Sequence, residues 1–79
     1  MDLNETAGWY GVIALLMAYG LVSFSLIQSN SVVYHLLNFT GALGIIAISL
    51  KRKNYQPVAL NVIWGVIALI ALARLVLRV

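Results

Sequence analysis

Residues 6–50 have the sequence TAGWYGVIALLMAYGLVSFSLIQSNSVVYHLLNFTGALGIIAISL, and these 45 residues carry no formal charge when His35 is neutral. As a single helix the run would be about 67 Å long, more than twice the roughly 30 Å thickness of the hydrocarbon core of a bilayer. The run must therefore turn once. Its one cluster of turn-forming polar residues is Gln28-Ser29-Asn30-Ser31. The pattern predicts two membrane-spanning helices joined by this turn.

The charged residues lie outside this run and predict a third helix. The cluster Lys51-Arg52-Lys53 is followed by 20 uncharged residues, 54–73, in which Pro57 suits the first turn of a helix. Only 9% of the 79 residues are charged, against roughly 25% in soluble domains. We therefore predict an all-α membrane protein, a single integral membrane domain over residues 1–79. Its three transmembrane helices, near residues 8–27, 32–50 and 58–77, run up, down and up.

The distribution of basic residues predicts an orientation. With three spans, the amino terminus lies on the same side as the Lys51–Lys53 loop, whereas Arg74 and Arg78 lie on the other side. Three positive charges against two place the amino terminus and the Lys51–Lys53 loop in the cytoplasm by the positive-inside rule. A count so nearly balanced also permits insertion in both orientations, and with it an antiparallel dimer.

Polar residues within the spans predict one intramembrane cluster on the side of the first turn. Counted from the predicted helix ends, Tyr19 and Asn38 are nearly level, and so are Ser23 and His35. Tyr19 and Ser23 are four residues apart and His35 and Asn38 three, so each pair shares a helix face. Two interpretations stay open, because these residues are suited either to hydrogen bonds between helices or to the lining of a polar pathway.

A second, smaller polar cluster is predicted in the opposite leaflet. Tyr10 and Asn61 lie at similar depths near the basic loop, and Trp64 lies one helical turn deeper than Asn61. The same two interpretations apply to it.

Small residues recur at helical spacing on all three predicted spans and predict close helix packing. Such faces let the backbones of transmembrane helices approach each other. They serve either packing within one chain or association with another. The residues are Gly11, Ala14, Ala18 and Ser25 on the first span, Gly41 and Gly44 on the second, and Gly65 and Ala68 on the third.

The chemistry needed for catalysis is missing from the sequence pattern. Both acidic residues, Asp2 and Glu5, precede the first span, and no nucleophile stands beside a base or within a phosphate-binding motif. His35 has no second ligand at metal-binding spacing, so we expect no metal and no cofactor. We expect no enzymatic activity and, since no surface domain is present, no nucleic-acid partner despite the net charge of +3.

Several short motifs resemble an uncharacterised family of bacterial inner-membrane proteins of about eighty residues with three predicted spans. The resemblance covers nearly the whole chain and implies a three-span protein of the cell inner membrane. It is carried by Gly8-Trp9-Tyr10-Gly11-Val12, Ala18-Tyr19 with Ser23, Tyr34 with Leu37-Asn38, Gly41-Ala42-Leu43-Gly44, and Tyr55 with Val58, Leu60-Asn61 and Trp64.

The three-span plan is also similar to the bacterial half-transporters of the SWEET class, whose protomers dimerise around a central pocket. Their Pro-Gln motif in the first helix is absent here, since the one proline is Pro57. This similarity implies a pocket role for Asn61 alone.

Two functional hypotheses follow. In the first, the protein is a structural or interaction protein in the lipid bilayer, which self-associates or binds a larger membrane protein. In the second, it is a minimal transporter protomer that dimerises around a polar pathway.

Overall fold

A computed structural model describes residues 1–78 and contains three α-helices, α1 (Leu3–Ser23), α2 (Val32–Lys51) and α3 (Tyr55–Leu77). Within this range there is no β-strand. Each helix is long and apolar enough to cross a membrane. The predicted all-α fold with three helices of membrane-spanning character is confirmed.

The first helix begins five residues earlier and ends four residues earlier than the predicted span 8–27. It begins early because Asp2 is its N-cap: one carboxylate oxygen accepts a hydrogen bond from the Glu5 backbone N–H at 2.8 Å. The other oxygen forms an ion pair with the Lys51 ammonium group at the end of α2. The polar residues before Gly8 are therefore helical.

The carboxyl end of α1 explains the other shift. Ser25 has a φ of 60°, and its N–H donates to the Val22 carbonyl at 3.0 Å while the Leu26 N–H donates to the Leu21 carbonyl at 2.8 Å. This is a Schellman motif, which closes a helix with one left-handed residue. The connection consequently extends over residues 24–31 rather than the predicted four, and Ser25 lies in it instead of on the helix.

The second helix lies between the other two. Both α1 and α3 pack against α2, and in residues 1–78 no Cα atom of α1 comes within 8 Å of one in α3. Gly41 approaches the Leu15 side chain of α1, whereas the adjacent Ala42 faces Gly65 of α3. Successive helical residues point about 100° apart around the helix axis. Viewed down the axis of α2, α1 and α3 therefore lie in directions about 100° apart, and the three helices form an open V in cross-section.

Most of the buried positions are occupied by small residues. Among residues 1–78 no large side chain is fully buried, and most of the large apolar side chains face outwards. This distribution suits a protein whose surroundings are lipid, because close backbone packing then replaces a large apolar core. Seven of the eight positions predicted to form packing faces are buried, and the eighth, Ser25, is exposed in the connection after α1. The seven are Gly11, Ala14, Ala18, Gly41, Gly44, Gly65 and Ala68.

The interface between α1 and α2 is tightest at glycines. A Cβ atom at Gly11 would lie 2.5 Å from the Gly41 carbonyl oxygen, and one at Gly44 would overlap the Ala7 carbonyl oxygen. A Cβ atom at Gly8 would lie 2.7 Å from Cγ2 of Ile48, so the Ile48 side chain already occupies that space. The contact between α1 and α2 therefore depends on the absence of side chains at these positions.

Candidate functional site

A groove of about 420 Å³ lies inside the V, with α2 as its floor and α1 and α3 as its walls. Its lining includes residues from all three helices and combines three apolar side chains with five that carry a polar group. The apolar ones are Leu15, Ile45 and Leu60, and the others are Tyr19, Tyr34, Asn38, Asn61 and Trp64.

Asn38 connects the floor of the groove to one wall. Its side-chain Oδ1 accepts a hydrogen bond from the Trp64 indole N–H at 2.8 Å, and its Nδ2 donates to the Tyr34 carbonyl at 2.8 Å. The residue is 5% exposed. Asn38 thus ties α2 to α3 while its own amide is satisfied at both ends.

Asn61 is satisfied within its own helix. Its Nδ2 donates at 2.9 Å to the carbonyl of Pro57, which lies in the first turn of α3. Asn61 is 6% exposed. Throughout residues 1–78 every fully buried side-chain nitrogen or oxygen has a hydrogen-bond partner. The buried polar atoms are therefore already paired inside the chain.

The predicted cluster of Tyr19, Ser23, His35 and Asn38 does not assemble as a whole. Tyr19 and Asn38 line the groove, whereas Ser23 is the last residue of α1. His35 does not line the groove but shares an adjoining cleft with Asn38 and lines a second cleft between α2 and α3. Because α1 ends four residues early, its residues lie about one turn from the predicted register. His35 follows Tyr34 by about 100° on α2 and lies beside the groove, with its ring centroid 5.2 Å from that of Tyr34.

Of the second predicted cluster, Asn61 and Trp64 lie together in the groove, whereas Tyr10 lies elsewhere. Trp64 bonds to Asn38, and Asn61 lines the groove. The Tyr10 hydroxyl instead lies 2.6 Å from the Thr40 hydroxyl, which donates its own hydrogen to the Leu36 carbonyl at 2.7 Å. Tyr10 is consequently the donor, and this bond links α1 to α2.

Three residues with structural roles were not predicted to belong to a polar cluster or a packing face. Thr40 and Tyr34 accept hydrogen bonds, through a hydroxyl and a backbone carbonyl respectively, and Ala42 packs against Gly65. Each of the three lies within one helical turn of Asn38 or Gly41. Proximity to these two predicted residues is the sequence signal that identifies them. As for metals, in residues 1–78 no three His, Cys, Asp or Glu side chains come together as ligands would.

Comparison with known proteins gives one match. A protein-family model matches residues 4–79, which is all but the first three residues of the chain. The chain belongs to this small, uncharacterised family. The three apolar helices described above fit it. No curated protein and no solved structure matches the chain.

Proposed function

We propose that this member of the family is a structural or interaction protein of the membrane, which self-associates or binds a larger membrane protein through the groove. The observation that carries the proposal is the V of helices, which leaves one side of α2 uncovered between α1 and α3. The axes of packed helices lie 8–10 Å apart. Because α1 and α3 contact α2 in directions about 100° apart, the axes of α1 and α3 are about 12–15 Å from each other. A helix of a partner placed in the groove contacts both α1 and α3.

The composition of the groove supports this proposal. Tyr19, Tyr34 and Trp64 contribute aromatic side chains, a class enriched in protein interfaces. Tyr19 is 73% exposed, so most of its surface is available for contact. Because the Asn38 amide and the Nδ2 of Asn61 are already bonded within the chain, a partner contacts the groove through van der Waals packing and through the hydroxyls of Tyr19 and Tyr34.

Filling the groove tests this proposal. We expect Leu60→Trp to abolish self-association or partner capture, because the larger ring occupies the space that a partner helix needs. Leu69 is also exposed on α3 but lies nine residues later, which places it about half a turn around the helix. Leu69→Trp is therefore the matched control and should associate as the wild type does.

The measurement is the number of fluorophore-labelled copies per complex, counted by photobleaching in liposomes at dilute protein-to-lipid ratios, together with crosslinking in the native membrane. Association of Leu60→Trp at wild-type levels would contradict a role for the groove. Equal loss in both variants would indicate a general effect of tryptophan on the membrane surface of α3.

A minimal transporter is the second candidate, and the polar groups of Tyr19, Asn38 and Asn61 along one groove favour it. One chain leaves this groove open on one side, so transport requires a second copy to close it. Since the similarity to half-transporters points to sugars, the probe is labelled glucose in proteoliposomes. Transport predicts uptake above that of empty liposomes, lost in Leu60→Trp and retained in Leu69→Trp. Uptake equal to that of empty liposomes would exclude glucose transport.

The proposal includes a location in the cell inner membrane with the amino terminus and the Lys51–Lys53 loop in the cytoplasm. The three-to-two distribution of basic residues supports this orientation. A reporter fused to the carboxyl terminus should then be active on the outer side only. Activity only in the cytoplasm would reverse the orientation, and activity on both sides would support dual insertion.

A further inference from the structure

A cleft separate from the groove lies between α2 and α3, near the connection between α1 and α2. It is on the side of these two helices that faces away from the groove. It has a volume of about 480 Å³. Its polar lining consists of Asn30 from the connection, His35 from α2 and Arg74 from α3. The remaining lining is aliphatic and is contributed entirely by α3: Ile67, Ile70, Ala71 and Leu75.

The polar residues of this cleft lie at the same end of the helices. His35 lies three residues after the start of α2 and Arg74 three residues before the end of α3, so each is about 4.5 Å inside its helix end. Asn30 lies outside α2, in the connection. Asn30 thus lies at the depth of the lipid headgroups, and His35 and Arg74 lie about one turn inside the helix ends, from where the long Arg74 side chain reaches the headgroups.

The aliphatic wall continues inwards from these polar groups. Ile67 lies ten residues from the end of α3, about 15 Å deep, which is the thickness of one leaflet. A smaller cleft of about 160 Å³ shares His35 and Ile67 with this cleft and is also lined by Tyr34, Asn38 and Trp64, which belong to the groove as well. The seam between α2 and α3 therefore offers polar donors at its outer end and an apolar trough over one leaflet.

Among residues 1–78 the charged side chains at this end are basic. Arg74 and Arg78 lie here, whereas the two acidic side chains, Asp2 and Glu5, lie at the opposite end of the helices. A guanidinium group has five N–H donors and can serve more than one acceptor at once. The imidazole of His35 offers at least one N–H, and the Asn30 amide offers two. This donor set is complementary to a phosphate group.

The geometry points to a binding site for one anionic phospholipid in this cleft. Its phosphate lies among Arg74, His35 and Asn30, and one acyl chain lies along Ile70 towards Ile67. A free phosphate ion would use the donors but not the trough, and a zwitterionic lipid would use the trough with a weaker net attraction to this basic end.

Native mass spectrometry of the purified full chain tests the site with two probes of identical acyl chains, phosphatidylglycerol and phosphatidylcholine. We expect the wild type to bind phosphatidylglycerol about tenfold more tightly, because its headgroup has a net negative charge whereas the choline cation of phosphatidylcholine cancels the charge of the phosphate. Arg74→Gln should remove this preference. Arg78→Gln makes the same charge change at the same end but outside the cleft, so its preference should stay within about twofold of the wild type.

A second variant tests the trough without changing a charge. Ile70 is more than half exposed, so Ile70→Trp is expected to fold, which circular dichroism will verify, and to weaken retention of phosphatidylglycerol by filling the acyl-chain path. Equal binding of the two lipids to the wild type would overturn the proposal, and so would equal losses in Arg74→Gln and Arg78→Gln. Full displacement of the lipid by millimolar inorganic phosphate would reassign the site to a free anion.

Discussion

Replacing Gly44 with alanine is expected to separate α1 from α2 and to lower the free energy of unfolding by about 3 kcal/mol. The added Cβ would overlap the Ala7 carbonyl oxygen and lie 3.1 Å from the Gly11 backbone nitrogen. Both neighbours are backbone atoms of α1, so a change of side-chain rotamer cannot relieve the clash. The helix as a whole must move, and the contacts around Gly11 and Gly41 are lost with it.

Two other glycines provide matched controls for this substitution. A Cβ at Gly20 would have no heavy atom within 4 Å, so Gly20→Ala should be neutral or stabilise α1 by up to about 1 kcal/mol through helix propensity. A Cβ at Gly65 would lie 3.6 Å from that of Ala42, at ordinary contact distance, and Gly65→Ala should be tolerated. Unfolding in detergent micelles, followed by circular dichroism, measures all three. Equal stability of Gly44→Ala and Gly20→Ala would mean that α1 and α2 do not pack through these glycines.

Replacing Asn38 with alanine should cost about 1–2 kcal/mol of stability. Hydrogen bonds between transmembrane helices average about 0.6 kcal/mol and reach about 1.7, and the substitution also leaves the Trp64 N–H without its acceptor. Asn61→Ala is the matched control, because Asn61 is buried to the same extent but donates only to the Pro57 carbonyl of its own helix. The same micelle unfolding assay should show the smaller loss for Asn61→Ala.

A double-mutant cycle isolates the bond itself. Trp64→Phe removes the indole N–H, so combining it with Asn38→Ala should cost less than the sum of the two single losses. Strict additivity of the two losses would show that Asn38 and Trp64 do not stabilise the protein through the bond seen between them.

Much of the fold follows from the sequence because the governing signals are strong. The uncharged run 6–50 is too long for one span, and Lys51–Lys53 separates it from the third helix. The small residues at helical spacing are also recognisable, since in lipid they mark where backbones approach each other. These features depend on composition and spacing along one helix at a time.

The end of α1 is less predictable, because the left-handed residue that closes it is Ser25 instead of the glycine that usually marks a helix terminus. This early end shifts the register of α1 against α2, and with it the expected neighbours of Tyr19. The open V is likewise not encoded in any single helix, since it depends on Gly41 and Ala42 facing different neighbours. For this reason Tyr19, Asn38, Asn61 and Trp64 line one groove, while Tyr10 bonds to Thr40 and His35 and Ser23 lie outside the groove.

The separation of α1 from α3 is the quantity on which the groove depends, and the absence of cysteine from the chain makes it directly measurable. Met17→Cys and Leu69→Cys place spin labels on exposed positions of α1 and α3 in an otherwise cysteine-free protein. Double electron–electron resonance in liposomes should give a distance between the labels that corresponds to helix axes about 12–15 Å apart. A distance corresponding to axes about 8–10 Å apart would mean that α1 and α3 close on each other and that the groove does not exist.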